Sequence, residues 1–304
     1  MKAKRSGLTV IEILVVVGIM ALLVGMLLPA VHTVQKMAKE TKQKAQFTAI
    51  ELGLAAFKSD YGDYPPSSWW NPALTGGQQD YCGAQKLSEA MLGWDLLGFH
   101  PDSAWRADAL DKTGAATTYT AADNLEKRKD RYIDLETASA FLLGGVQDGL
   151  FMDTSGTWGG SPLAPRTYVL CDVFAVNERK VLLTGGRPVT AVTPGKMVSP
   201  GTPILYYKAN PASKTIDVGE PEARIYNARD NWPLISLGRL ADTDKPLSAR
   251  RRHPIEDFDY FYEYIRDPKV HARPWPYRPD SYLLISAGMD GIYGTDDDIR
   301  NFGR

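Results

Sequence analysis

Gly7-Leu8-Thr9-Val10-Ile11-Glu12, followed by an almost unbroken apolar run from Ile13 to Val31, decides how this 304-residue chain is read. Lys2, Lys4 and Arg5 precede it. As a helix rising roughly 1.5 Å per residue, the run is long enough to cross a bilayer core of about 30 Å. Glu12 breaks the pattern. An ionisable side chain inside a spanning segment costs about 2.5–3.5 kcal/mol on insertion scales, so its presence asks for a specific partner. Two plainer readings explain less. A cleavable secretory signal has an apolar core of about 7–15 residues and a small-x-small cleavage site; this run is longer and ends Leu28-Pro29-Ala30-Val31-His32. An ordinary membrane anchor accounts for the length and the flanking charges but leaves Gly7 and Glu12 as accidents.

These residues resemble the class III signal of bacterial type IV pilins and type II secretion pseudopilins. The resemblance implies that a prepilin peptidase cuts after Gly7, that the new N-terminal Leu8 is methylated, and that Glu12, five residues past the cut, acts in assembly. Pro29, twenty-two residues past Gly7, falls where the family has a helix-weakening proline. The physics agrees with the pattern. A cut at Gly7 leaves a cationic amine at a helix N-terminus, and the Glu12 carboxylate of a neighbouring subunit could pair with it inside the apolar bundle. Gly18 and Gly25 suit close packing of such stems and equally suit any spanning helix.

Beyond the stem about 270 residues remain, enough for one large domain or a small one with a big insertion. Removing the leader's three cations from 35 leaves 32 against 36 acidic residues, a net charge of −4, which gives no electrostatic case for nucleic-acid binding. The basic leader places the N-terminus in the cytoplasm, so the expected arrangement is a single pass through the bacterial inner membrane with a periplasmic C-terminal domain. That compartment permits disulfides. Cys82 and Cys171 are the two cysteines; a bridge between them and a pair of buried thiols are equally simple readings. His32, His100, His253 and His271 show no metal-ligand spacing.

Taken in order, residues 1–7 read as the leader, 8–31 as the spanning and filament-core half of the helix, and 32–66 as its second half and turn. Phe47, Ile50, Leu54 and Phe57 recur at three- and four-residue steps, the signature of a helix laying one face on a sheet. The helix ends near Asp60, before Gly62, Pro65 and Pro66, giving a length of roughly 78 Å. Gly62-Asp63-Tyr64-Pro65 is similar to the family's turn after the long helix. Residues 67–165 read as an α/β insertion, with a helix through Leu87, Met91, Leu92, Leu96 and Leu97. Leu125–Arg131 is a charge run that reads as a solvated face. Trp69, Trp70, Trp94, Trp105 and Trp158 read as packing residues.

Residues 166–304 turn to strands: Thr167–Val173, Lys180–Thr184, Pro203–Lys208 and Ser281–Ser286, a small antiparallel sheet. Gly201-Thr202-Pro203-Ile204-Leu205-Tyr206 is similar to a pseudopilin strand, with isoleucine in place of one tyrosine. Ile255, Phe258, Phe261, Tyr262 and Ile265 predict a short helix over the sheet edge. The basic run Arg250–His253 reads as a solvated loop.

Ser286–Ile299 concentrates hard oxygen ligands: Asp290, Asp296, Asp297 and Asp298 among Gly288, Gly291 and Gly294. This composition suits calcium rather than a softer metal, although EF-hand spacing is missing. The stretch also resembles the C-terminal calcium loop of major type II pseudopilins, which implies Ser286, Asp290 and Asp298 as ligands, then Asp296, with Asp297 last. A metal-free acidic turn is the plain alternative. No G-x-S-x-G elbow, P-loop or H-E-x-x-H occurs, so no enzyme is expected.

The expected protein is therefore α+β and pilin-like: a long N-terminal helix on a small antiparallel sheet, with a large insertion and a calcium-bound end. The resemblance implies a structural subunit that self-associates into a type II secretion-like periplasmic filament, working with prepilin peptidase, an inner-membrane assembly platform and other pseudopilins. The alternatives are a type IV pilin for attachment or motility and a membrane-anchored hydrolase.

Overall fold

The computed structural model describes residues 9–68, 81–107, 109, 119, 122–145, 149–152, 167–176, 179–181, 196–217 and 219–303. Gly7, Leu8, Trp69, Trp70 and Trp158 lie outside them. The chain divides into two compact units, Met1–Lys42 and Gln43–Arg304.

The first unit is the apolar part of helix α1, Val10–Tyr61. It is the one helix among the described residues long and apolar enough to cross a membrane by length and composition. Val10, Leu14, Val17, Leu22 and Met26 are all exposed. The backbone stays helical through Pro29.

In the second unit, the last turns of α1 bury Phe47, Ile50, Leu54 and Phe57, the four residues whose spacing predicts an inward face. Two glutamines extend that face. Gln46 Nε2 donates to the carbonyls of Thr137 (3.0 Å) and Cys171 (2.9 Å), and Gln43 Oε1 accepts from the Val173 amide (2.9 Å). They satisfy backbone groups where a strand ends, which a buried apolar residue could not do. Helix α2, Gly83–Leu92, crosses α1 at Gly53, where a Cβ would stand 2.8 Å from Met91 Sδ.

The predicted helix in this region stops short of Leu96 and Leu97. Gly93 takes φ +85°, and the chain folds back so that the Gly98 amide bonds the Leu92 carbonyl at 2.7 Å. Leu97 is left exposed. All ten residues of α2 are buried, Lys86 and Glu89 included, so a helix expected in an insertion forms part of the core. Glu89 Oε1 accepts from Tyr119 (2.8 Å) and from Ser103, and Lys86 donates to the Ser68 carbonyl.

The charge run is exposed as expected except at Arg128. Arg128 is buried, its Nη1 reaching both oxygens of Asp95 at 2.7 and 2.6 Å while Nη2 donates to the Tyr119 carbonyl at 3.1 Å. Both side chains are 3% exposed or less. A buried ion pair persists where hydrogen bonds of this kind compensate the lost water.

After the short α3, Leu135–Ala138, come strands β1 (Ala140–Leu142), β2 (Gly144–Gly145), β3 (Phe151–Met152) and β4 (Tyr168–Leu170). β1 pairs antiparallel with β4, and β2 pairs parallel with β3. Strands β5 (Arg179–Val181) and β6 (Lys196–Val198) form an antiparallel pair, and the rest of the strand predicted through Thr184 lies outside the described residues. β7 (Leu205–Lys208) pairs antiparallel with β8 (Tyr282–Ser286), and β8 with β9 (Ile299–Arg300). β9, two residues long, carries too little pattern to be predicted.

Alternation along β7 and β8 splits the core. Tyr206, Tyr282 and Leu284 face α1 and α2, whereas Leu205, Tyr207, Leu283 and Ile285 face the other way. That second face needs a cover. Helices α4 (Trp232–Ile235) and α5 (Phe258–Tyr264) provide it, with Phe261 packed on Tyr207 at 4.8 Å between ring centroids. The helix expected over the sheet edge therefore lies on a sheet face, because both faces are apolar. The result is α+β: a long N-terminal helix and small antiparallel sheets, with one two-stranded parallel pair.

Candidate functional site

Two places carry the chemistry that the sequence singles out. The first is the start of α1. Glu12 accepts from the Thr9 amide at 2.8 Å and the Thr9 hydroxyl at 2.7 Å, while the Glu12 amide donates back to Thr9 Oγ1 at 3.3 Å. This is a capping box, in which a threonine and the glutamate three residues on satisfy each other's orphan donors. Sequence reasoning missed it although Thr9-Val10-Ile11-Glu12 spells the motif. The Leu8 amine expected to meet Glu12 falls outside the described residues.

The second place is the loop joining β8 to β9. Antiparallel pairing sets Ser286 opposite Ile299, so the register brings Asp298, one residue earlier in the chain, to the mouth of the loop. Ser286 Oγ donates to Asp172 Oδ2 at 2.8 Å. Asp172 Oδ1 accepts from the amides of Phe174 (3.1 Å) and Thr202 (3.0 Å). Burial pushes the Asp172 carboxyl up to about 7 against those hydrogen bonds, and the charge of Asp298 adds to the rise. Burial likewise raises Asp298 to about 7, opposed by hydrogen bonds from Tyr264 and the Gly294 amide. Asp298 Oδ2 takes both of those bonds, the amide one at 2.7 Å, and Oδ1 is buried with no partner.

The remaining expected ligands are used differently. Asp290 Oδ1 caps the Ile292 amide at 2.7 Å, and the Asp290 amide donates to Asp297 Oδ2 at 3.0 Å. Burial raises the Asp290 carboxyl, and the charge of Asp297 adds to it. Thr295 donates to Asp297 Oδ1 at 2.6 Å, and Asp296 is exposed. Among the described residues no three histidine, cysteine, aspartate or glutamate side chains converge as a metal site. The fit to calcium is thus partial. Ser286 bonds Asp172, whose carboxyl feels the charge of Asp298, and the orphaned oxygen is the Oδ1 of Asp298 itself; Asp290 makes another contact and Asp296 is exposed. Asp172 is the residue that sequence reasoning missed, since its tie to Ser286 spans 114 positions and leaves no local pattern.

Cys82 and Cys171 are free and buried. Of the two readings open at the sequence, the structure holds paired burial without a bridge. Burial pushes the Cys82 thiol up to about 12 and the Cys171 thiol well above its ordinary value, so neither is a ready nucleophile. Comparison of the chain with protein-family models, with curated proteins and with solved structures gives no match in any of the three.

Proposed function

We propose that this chain is a structural, non-catalytic subunit of a pilin-type filament, a pseudopilin-like protein of a type II secretion-like system. After removal of a leader at Gly7 by a prepilin peptidase, it would assemble through its N-terminal helix on an inner-membrane platform, together with other pseudopilins. The observation that carries this reading is α1: 52 unbroken helical residues, apolar and exposed at one end, locked into a core by Phe47, Ile50, Leu54 and Phe57 at the other. An anchor alone has no need of helix continuity between lipid and core. A filament does, because force and position must pass from packed stems to the exterior. The test is co-expression with a prepilin peptidase and assembly platform, followed by shearing and sedimentation. A subunit appears as polymer outside the membrane fraction; a chain that stays monomeric in the membrane contradicts the proposal.

Calcium belongs to the same reading, as the group that would hold the β8–β9 loop through Asp298, Ser286 and Asp172. A divalent cation supplies positive charge to two carboxylates that burial now opposes. Binding to the folded state alone, at about 100 times the dissociation constant, stabilises it by about 2.7 kcal/mol. Millimolar calcium should therefore raise the melting temperature above that in chelator, magnesium should substitute poorly, and an Asp172→Asn, Asp298→Asn double variant should not respond. Identical wild-type curves in calcium and chelator would remove the metal and leave the loop closed by its own hydrogen bonds.

A further inference from the structure

Just past the apolar run, α1 carries Lys36, Lys39 and Lys42, all exposed. Steps of three residues keep them within about 120° of arc, so they form one stripe rather than a ring. Lys36 lies 3.9 Å from Glu40, and among the described residues Lys39 and Lys42 make no ion pair. Val34 and Met37, also exposed, occupy the other side of the helix, so stems that pack through apolar residues leave the lysine stripe outward.

Height along the helix indicates what the stripe meets. Counting from Val31, the three lysines stand roughly 7, 12 and 16 Å beyond the apolar run. The headgroup layer fills about the first 5–8 Å on that side. Lys36 sits at its edge, Lys39 reaches down to it with a flexible stem, and Lys42 lies within about one Debye length of the surface. We propose that Lys36, Lys39 and Lys42 form a binding stripe for anionic phospholipid headgroups, which holds the unassembled subunit at a lipid surface until it is withdrawn. The proposal rests on the apolar run lying in a bilayer. It adds a lipid preference that spanning alone does not require.

The test reconstitutes the full chain into phosphatidylcholine vesicles with and without phosphatidylglycerol as a minor component. The preference for spin-labelled phosphatidylglycerol over phosphatidylcholine at the protein boundary is then measured. One lysine near an anionic surface corresponds to about a fivefold preference, so the wild-type chain should show at least that, falling in molar salt. Lys36→Gln, Lys39→Gln, Lys42→Gln together should lower it to what the basic leader, Lys2, Lys4 and Arg5, supplies by itself, whereas Lys214→Gln, an exposed lysine in the second unit, should leave it intact. Equal preference in the wild-type chain and the triple variant, with both inserted, overturns the stripe and leaves the spanning stem standing. Loss of preference in the Lys214→Gln variant also overturns it. A wild-type chain that washes off the vesicles at alkaline pH overturns the stem itself.

Discussion

Glu12→Gln is expected to be processed, to remain in the membrane, and to yield essentially no sheared polymer. The substitution is chosen because glutamine at the third helical position preserves the capping box with Thr9, so the local structure of the α1 start survives. It removes only the charge. In the monomer that charge rests on a threonine amide and hydroxyl, which a neutral amide oxygen serves nearly as well. In a bundle of stems it would face a neighbour's Leu8 amine in an apolar medium, where losing one member of a buried pair costs about 3–5 kcal/mol. Such a cost lowers each association step by about two to three and a half orders of magnitude. Thr9→Val provides the opposite case, losing the cap at a cost of about 1 kcal/mol while keeping the charge, and should still assemble. Polymer yields that fall with Thr9→Val and hold with Glu12→Gln would assign Glu12 to its own helix alone.

Arg128→Met is expected to destabilise the folded unit by about 3–5 kcal/mol, because it leaves Asp95 buried with its compensating cation gone. For a domain of this size, that is a fall in melting temperature of roughly 6–20 °C. The double variant Asp95→Leu, Arg128→Met should recover most of the loss, since removing both charges removes the desolvation cost with them. Thermal melts of the full chain in detergent check both. A single variant that melts within two degrees or so of wild type, against about 6–20 °C expected, would mean that Arg128 is solvated after all.

What sequence reasoning reached, and what it missed, divides along the distance between interacting residues. The apolar run, the Phe47–Phe57 periodicity and the core strands at Leu205 and Tyr282 are local patterns, and the structure places each where its period predicts. Arg128 looked solvated because neighbours in a charge run say nothing of Asp95, which lies 33 positions earlier. Asp172 was invisible for the same reason. The position of α5 followed from apolar side chains on both faces of β7 and β8, a property of two strands together rather than of either alone. The capping box is different, since Thr9 and Glu12 are three residues apart and the motif was present to be read.

Intact mass of the native chain, recovered from sheared polymer, tests the filament-subunit proposal most directly. A subunit processed at Gly7 has an N-terminus at Leu8 carrying one methyl group. Assembled protein that retains Met1 and the basic leader would contradict it.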